Sequence, residues 1–256
     1  MEPDITSVQV SARRKARAKV LPLWETEARS GPSMEARAHI LEQAAVAFTE
    51  RGFSGTTLDH VAQRLGATKG QIYHYYRSKS DLYFDVAVGA HFMVHDGTEP
   101  WTTRLELPPA ERLHAVALSH AMVIIRTWAW QRVALEATQH QLMAGFTPRE
   151  ERALARMAEF RDGHESRLSN IIAEGFANGQ FAPASLPFAT KAVLGSLNWL
   201  TVWYDPRKSS GTDAQHVIAQ QIADFIIAGL QQGQPSWRDT ARRSLGLEVG
   251  ASLSAP

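Results

Sequence analysis

The sequence has no cysteine, no long apolar run and no excess of charge of either sign. Without cysteine the chain has no disulfide, thiolate metal site or cysteine nucleophile, which is typical of a cytoplasmic protein. No run of about 18 apolar residues occurs, so no membrane-spanning helix is predicted. The first 23 residues are interrupted by charges where an export signal would need an apolar segment. Because 27 basic residues balance 26 acidic ones, the net charge of +1 indicates neither nucleic acid nor membrane as a partner.

What the sequence does contain is helical periodicity, over almost its whole length. A hydrophobic content of 44% over 256 residues is enough for a buried core. No strand-like alternation competes, so the predicted fold class is all-α. The predicted organisation is a basic flexible extension at 1–32, a unit of short helices at 33–83, a larger helical body at 84–232, and a loosely ordered tail at 233–256.

The extension carries a cluster of basic residues with no acid among them. The cluster consists of Arg13, Arg14, Lys15, Arg17 and Lys19. Such a cluster can lie along DNA phosphates or in a neighbouring groove, and it can equally behave as a solvated tail. The sequence leaves both interpretations open.

Four helix starts are predicted from a capping residue with a suitable partner three positions later. These pairs are Thr56 with Asp59, Thr68 with Gln71, Ser78 with Asp81, and Thr147 with Glu150. The first helix is expected from Ser33 to a stop at Gly52. The helix that begins after Ser78 is expected to reach about Met93 and to break at Gly97.

The turn from Leu65 to Thr68 joins two short helices with the spacing of a helix-turn-helix motif. No acid lies between Asp59 and Asp81, so the basic residues of this stretch can attract phosphate. Gln71, in the first turn of the second short helix, is the main candidate for reading a base edge, because an amide can bond adenine in a bidentate manner.

The predicted DNA-binding residues are Thr57, Thr68, Lys69, Gln71, Tyr73, His74 and Lys79. Tyr73 and His74 are expected to position the protein on phosphates rather than to specify sequence. The alternative is that the nearby tyrosines are ordinary packing residues and that Lys79 is a solvated charge. For Tyr76 we favour the core.

Residues 34 to 83 resemble the TetR family of bacterial regulators. The resemblance rests on the pair Thr56-Thr57, the turn glycine Gly66, the aromatic pair Tyr73 and Tyr76, and the run Ser78-Lys79-Ser80-Asp81-Leu82. Tyr76 replaces a phenylalanine that is frequent there. The resemblance implies an all-helical homodimer that represses nearby genes and leaves DNA when a small molecule occupies the C-terminal body.

Within that body, aromatic and basic side chains crowd one stretch and form a candidate effector site. Its members are Arg126, Trp128 and Arg132, with Trp130 between them. Aromatic rings and arginines can bind an anionic, partly apolar ligand. Tryptophans at helical spacing are also typical of a core, so that alternative stays open.

The segment from Gly195 to Pro206 resembles a signature of TetR-type regulators that respond to acyl-coenzyme A thioesters. Asn198, Trp199 and Trp203 carry this resemblance. The alternative is that both tryptophans pack a dimer bundle, with Asn198 bonded to a buried backbone group. The last two helices are expected at about 186–204 and 215–230. A two-helix dimer face is predicted from their apolar residues, namely Val193, Leu194, Leu197, Val217, Ile218, Ile222, Phe225 and Ile226.

Two rival functions compete with DNA binding. An enzyme or metal site would draw on the histidines, which include His60, His74, His114, His120, His140 and His164. His91 and His95 lie one turn apart, but Phe92 stands where a zinc-protease motif needs glutamate. We therefore predict no catalytic residue, cofactor or metal. A helical adaptor that binds only protein would leave the basic surface between Arg64 and Lys79 unexplained.

Overall fold

The computed structural model describes residues 34–140, 146–208 and 211–232, and all regular structure within them is helical. The basic cluster of the extension and the tail from 233 lie outside the described residues, as does the side chain of His140. The helices, in chain order, are α1 Met34–Gly55, α2 Leu58–Leu65, α3 Lys69–Tyr75, α4 Lys79–Thr102, α5 Pro109–Arg126, α6 Trp128–His140, α7 Pro148–Ala177, α8 Leu186–Asn198, α9 Leu200–Trp203 and α10 Thr212–Gln231. The fold class is therefore all-α, as predicted, with the short helices of the helix-turn-helix near the beginning.

Two apolar clusters hold these helices together. The first is built by α1 to α4 with α6 and the first half of α7. The second is built by α5, the second half of α7 and α8 to α10. Tyr83 and Phe84 both belong to the first cluster, so apolar packing is continuous across the predicted division between residues 83 and 84.

The backbone of α1 leaves helical geometry at Gly52, as predicted. Its φ of 67° is left-handed and produces a kink, and a short helical stretch follows to Gly55. One predicted helix end was wrong. The helix that begins at Lys79 continues through Gly97 to Thr102. Gly97 lies against α5, because a Cβ added there would stand 2.7 Å from Cγ2 of Val123. The missing side chain lets the two helices approach closely, and this tertiary packing outweighs the weak helix propensity of glycine.

Two other helix boundaries also differ from the prediction. The predicted segment from Leu186 to Tyr204 is divided into α8 and the four-residue helix α9, with Trp199 between them. The last helix begins at Thr212 rather than at Gln215. None of the helices in the described part of the chain is long and apolar enough to cross a lipid bilayer.

Candidate nucleic-acid interface and effector site

The turn between α2 and α3 is fixed by Gly66. Its φ of 63° is left-handed, and its N–H donates to the carbonyls at the end of α2. Ala67 N–H donates to Ala62 O at 2.9 Å. These bonds close α2 and turn the chain directly into α3, so the two short helices form the arrangement expected of a helix-turn-helix.

Thr57, and not Thr56, caps α2. The Thr57 hydroxyl accepts from His60 N–H at 3.2 Å, and His60 Nδ1 accepts from Thr57 N–H at 3.3 Å. Thr56 is fully buried, and its hydroxyl lies 2.8 Å from Gly52 O and 3.1 Å from Ala47 O. The sequence pattern placed the cap one residue early because either threonine fits it. The predicted site residue Thr57 is exposed at the start of α2.

At the start of α3 the predicted cap is confirmed. The Thr68 hydroxyl accepts from Gln71 N–H, and Gln71 Oε1 accepts from Thr68 N–H at 2.7 Å. Both side chains are exposed, as is Lys69 between them. In this state the carbonyl oxygen of Gln71 already has a backbone partner. The Nε2 amide group of Gln71 can still donate a hydrogen bond.

α3 is anchored by one face, on which Ile72 and Tyr76 are each 1% exposed. The opposite face turns outward, with Tyr73 45% exposed and His74 also exposed. Tyr76 therefore belongs to the core, as predicted, and Tyr73 is available for contact.

An ionic network that sequence analysis missed fixes α3 to its neighbours. Arg37 Nε donates to the Tyr76 hydroxyl at 3.1 Å, and Arg37 Nη2 donates to Asp85 Oδ2 at 2.8 Å. Burial raises the pKa of Tyr76 well above its ordinary value. Burial also raises the pKa of Asp85, although Arg37 opposes this. The network joins α1, the end of α3 and α4, and no local sequence signal relates these three distant residues.

The two predicted lysines differ in their surroundings. Lys69 Nζ lies 2.9 Å from Asp59 Oδ2 and 5.5 Å from the centre of the Tyr73 ring, on the exposed surface. The hydrogen bond to Asp59 raises the pKa of Lys69. Lys79 instead donates to Phe53 O at 2.7 Å and lies 4.4 Å from the centre of the Phe53 ring. Lys79 therefore closes the end of α1 and is only half exposed.

The start of α4, which follows the helix-turn-helix directly, is bound to the start of α7. Arg149 Nε lies 2.9 Å from Asp81 Oδ1, and the Ser80 hydroxyl donates to Glu150 Oε1. Glu150 also completes the cap of α7 by accepting from Thr147 N–H at 2.8 Å. Two polar contacts thus connect the helix-turn-helix to a helix of the C-terminal body.

The predicted effector residues around Trp128 are partly brought together. The Arg132 guanidinium lies 5.9 Å from the centre of the Trp128 ring. Trp128 Nε1 is buried and has no hydrogen-bond partner among the described residues. Arg126 is half-buried at the end of α5, and Trp130 belongs to the core at 9% exposure.

Trp199 and Trp203 are exposed by 61% and 50% in the single chain. Trp203 N–H donates to Trp199 O at 3.3 Å, so the two residues lie one turn apart. Asn198 is exposed too, and its side chain lies near the ring of His120, where it raises the pKa of that histidine against the larger effect of burial. The three residues of the predicted segment therefore lie at the surface, and Asn198 is near the buried His120.

Sequence analysis did not predict a buried line of polar groups formed by Thr98, His164 and His120. His164 Nε2 lies 3.0 Å from His120 Nδ1, and His164 Nδ1 lies 3.2 Å from the Thr98 hydroxyl. Burial lowers the pKa of His120 to about 4 and lowers that of His164 well below its usual range. Sequence analysis considered both histidines only for enzyme or metal chemistry. Three separate helices supply the three residues, so no local spacing reveals them.

The predicted dimer face mixed inward and outward residues. Val193, Leu194, Leu197 and Ile226 are buried in the chain's own second cluster. The outward apolar residues of α8 to α10 are Phe188, Trp199, Val202, Trp203, Val217 and Phe225. We call these six the outer apolar face. Phe188 and Phe225 are 71% and 72% exposed, which is unusual for phenylalanine in a single folded chain.

Among the described residues no group of three or more histidine, aspartate or glutamate side chains is arranged to hold a metal ion. Burial lowers the pKa values of both His91 and His95. The nearby cations Arg161 and Arg167 lower them further, Arg161 at His91 and Arg167 at His95.

Two family models match the chain. Residues 40–86 match the model of bacterial regulatory proteins of the tetR family, and residues 106–230 match that of the tetracyclin repressor-like C-terminal domain. The HTH-type transcriptional repressor KstR2 of Mycolicibacterium smegmatis is 25% identical over 208 residues, which cover 77% of this chain and 92% of the relative.

Solved structures agree in fold. The TetR family regulator PfmR from Thermus thermophilus has a TM-score of 0.64 and 28% identity, and the match covers 75% of this chain and 99% of PfmR. AibR, solved with isovaleryl coenzyme A and operator DNA, has a TM-score of 0.59 and 22% identity, with coverage of 76% and 97%. KstR2 and PfmR are named as transcriptional regulators, not enzymes.

Proposed function

Since the chain belongs to the TetR family of DNA-binding transcriptional regulators, we propose that it is a homodimeric cytoplasmic repressor. It would bind a near-palindromic operator and leave it when a small molecule binds. One observation carries the proposal: α3 presents an exposed first turn and an outward Tyr73, while Ile72 and Tyr76 anchor its other face. A short helix held in this way can enter a major groove without losing its packing.

We propose that the first turn of α3 contacts base edges and that its surroundings contact phosphates. Gln71 lies on the exposed surface for the first role. The phosphate contacts would be Thr57, Thr68, Lys69, Tyr73 and His74. Lys79 would act mainly by holding the end of α1, because its ammonium already donates to Phe53 O.

Base reading by Gln71 would compete with helix capping. Bidentate pairing with adenine needs both the carbonyl and the amide of the side chain. In the free protein the carbonyl accepts from Thr68 N–H, so Gln71 would exchange that bond for one to the base. A DNA phosphate at the N-terminus of α3 could then satisfy the Thr68 N–H.

The dimer would form through the part of the outer apolar face that lies on α8 and α10, namely Phe188, Val217 and Phe225. A second copy of the chain is the natural partner, because a twofold contact brings the same apolar residues of α8 and α10 together. The two helix-turn-helix units of the dimer, which we call the readers, would then be held at a fixed separation. They would contact half-sites about one helical turn apart, roughly 34 Å.

The contacts between α4 and α7 offer a route from effector to reader. Asp81 with Arg149, and Ser80 with Glu150, hold the start of α4. An effector that favours a different position of α7 would shift α4 and change the separation of the readers, by as much as its differential affinity allows. Readers cross-linked at operator spacing would then stay on DNA when effector is added.

For the effector, we propose an acyl-coenzyme A thioester that contacts Arg126, Trp128, Arg132, Asn198, Trp199 and Trp203. The segment around Asn198 resembles acyl-coenzyme A responsive regulators, and AibR, which was solved with isovaleryl coenzyme A, has the same fold. Arginine side chains suit the phosphates of coenzyme A. The buried Trp128 Nε1, which has no partner in the described part of the chain, offers a donor to a carbonyl oxygen.

The test begins with selection of bound duplexes from a random DNA pool by the full-length protein. Fluorescence anisotropy then compares the selected duplex with a scrambled one, for wild type and for Tyr73→Ala. We expect wild type to prefer the selected duplex by at least about a thousandfold. Tyr73→Ala should weaken binding, while Tyr75→Phe, on the same helix, should not.

Enrichment of no sequence, together with equal affinity for both duplexes, would contradict the DNA-binding proposal and favour the protein-binding adaptor. A sedimentation measurement of the same sample tests the dimer. Phe225→Glu should convert it to monomers, whereas a dimer that persists would place the contact elsewhere.

A further inference from the structure

A line of buried polar groups crosses the interior between α4, α7 and α5. Thr98, His164 and His120 are exposed by 0%, 5% and 1%. The line ends at His120 Nε2, which is buried and has no hydrogen-bond partner in the described structure. The side chain of Asn198 lies near this ring, without a well-formed hydrogen bond to Nε2. A buried polar atom without a hydrogen-bond partner is rare in native proteins, because it loses its hydration without compensation.

The direction of each hydrogen bond in the line can be assigned from its Thr98 end. The Thr98 hydroxyl lies 2.8 Å from Val94 O and 3.2 Å from His95 O. Carbonyls only accept, so the single hydroxyl proton points to these backbone oxygens. Thr98 must then accept from His164 Nδ1–H.

His164 is neutral because burial disfavours its charged form and the groups acting on it, His120, Arg167, His95 and His91, all lower its pKa. With its proton on Nδ1, its Nε2 accepts from His120 Nδ1–H. His120 is neutral for the same reason of burial. Its Nε2 is therefore a bare lone pair.

We propose that His120 Nε2 and Asn198 bind a hydroxyl group on an otherwise apolar effector. The hydroxyl would donate to Nε2 and accept from the Asn198 amide N–H. A ketone, thioester carbonyl or carboxylate cannot donate, so its oxygen lone pair would face the lone pair of Nε2. Val116, Ala117 and Ile124, one turn before and after His120, are buried in the second cluster, so the surroundings of this pair are apolar.

This inference rests on the proposed effector-binding role and refines it. If the effector is an acyl thioester, the thioester carbonyl lies away from His120, and the group that His120 selects is a hydroxyl on the acyl portion. Thr98 then determines ligand specificity without touching the ligand, because it fixes which nitrogen of each histidine carries the proton.

The test uses the full-length protein and two probes of equal length, 2-decanol and 2-decanone, in titration calorimetry. Wild type should bind the alcohol about five- to tenfold more tightly, the effect of one buried hydrogen bond of about 1–1.4 kcal/mol. Thr98→Val removes the acceptor that fixes the proton on His164 Nδ1. Both rings can then take either tautomer, so the preference for the alcohol should fall to near one.

Thr190→Val is the matched control. Thr190 is also buried at 2%, and its hydroxyl also donates to the carbonyl four residues before it, at 2.9 Å, but no histidine bonds to it in the described structure. It should keep the wild-type preference. Nitrogen-15 spectra of the histidine rings should show Nδ1–H on both His120 and His164 in wild type.

Equal binding of alcohol and ketone by wild type, no binding of the alcohol, or a preference that survives Thr98→Val would overturn the proposal. Anisotropy on the selected duplex is measured on the same samples. Because the buried line does not touch α3, intact DNA binding with no alcohol preference would refute the hydroxyl site alone, whereas absent DNA binding would refute the regulator.

Discussion

Removing the carboxylate of Asp85 should destabilise the protein more than removing the hydroxyl of Tyr76, although both groups bond to Arg37. Asp85 and Arg37 form a 2.8 Å ion pair in which the side chains are 4% and 16% exposed. Breaking a buried ion pair costs about 3–5 kcal/mol, because the remaining charge keeps its desolvation penalty. Since Arg37 is partly exposed and can recover some solvent, we expect about 3 kcal/mol for Asp85→Ala.

For Tyr76→Phe we expect a loss of about 1–2 kcal/mol. Its ring stays in place, and only a 3.1 Å hydrogen bond from a charged donor is lost. Arg37 keeps Asp85 as its partner in that variant. Tyr75→Phe serves as the control and should change the free energy of unfolding by less than about 0.5 kcal/mol.

The assay is urea unfolding followed by circular dichroism, at fixed protein concentration because a dimer's stability depends on it. The double variant should lose less than the sum of the single variants, because both changes act through Arg37. A loss for Asp85→Ala below about 1 kcal/mol, or smaller than that for Tyr76→Phe, would refute the view that this network fixes α3.

Three further predictions concern other parts of the chain. Thermal stability should fall as pH drops from about 6.5 towards 4, because the pKa values of His120 and His164 are lowered in the folded state and the unfolded chain therefore binds more protons. A melting temperature unchanged over this range would contradict the burial of both rings in their neutral form. Gly97→Ala should cost about 1–3 kcal/mol in urea unfolding, because the added Cβ would meet Val123 at 2.7 Å, and a neutral effect would show that the two helices separate easily. Lys79→Met should weaken DNA binding and lower the free energy of unfolding by about 1 kcal/mol, because the contact with Phe53 O at the end of α1 is lost. Weaker DNA binding at an unchanged free energy of unfolding would favour a direct contact of Lys79 with a phosphate.

Local chemistry made most of the helix-turn-helix predictable from the sequence. The caps at Thr68 and Ser78 and the turn at Gly66 depend on neighbouring residues, so their pattern is visible in the chain itself. Where two residues fit the same local pattern, as Thr56 and Thr57 do, only burial decides between them.

What the sequence could not predict depends on contacts between distant residues. The continuation of α4 through Gly97 requires Val123 of another helix. The line from Thr98 to His120 requires three helices to meet. Apolar periodicity likewise identified the last helices, but it could not separate residues that face the chain's own core from those that face outward, since both recur along an amphipathic helix.

The most direct test of the central claim, that α3 reads DNA in a dimer, is the salt dependence of affinity for the selected duplex. Lys69 is the cation among the proposed phosphate contacts, so two helix-turn-helix units neutralise at least two phosphates. The logarithm of the association constant should therefore fall with the logarithm of salt concentration with a slope of about −2 or steeper. Gln71→Ala should lower affinity for the selected duplex by about 1–3 kcal/mol per reader with little change in slope, because it contacts a base and not a phosphate. A slope near zero, or a Gln71→Ala variant that still discriminates the selected duplex as wild type does, would contradict the account.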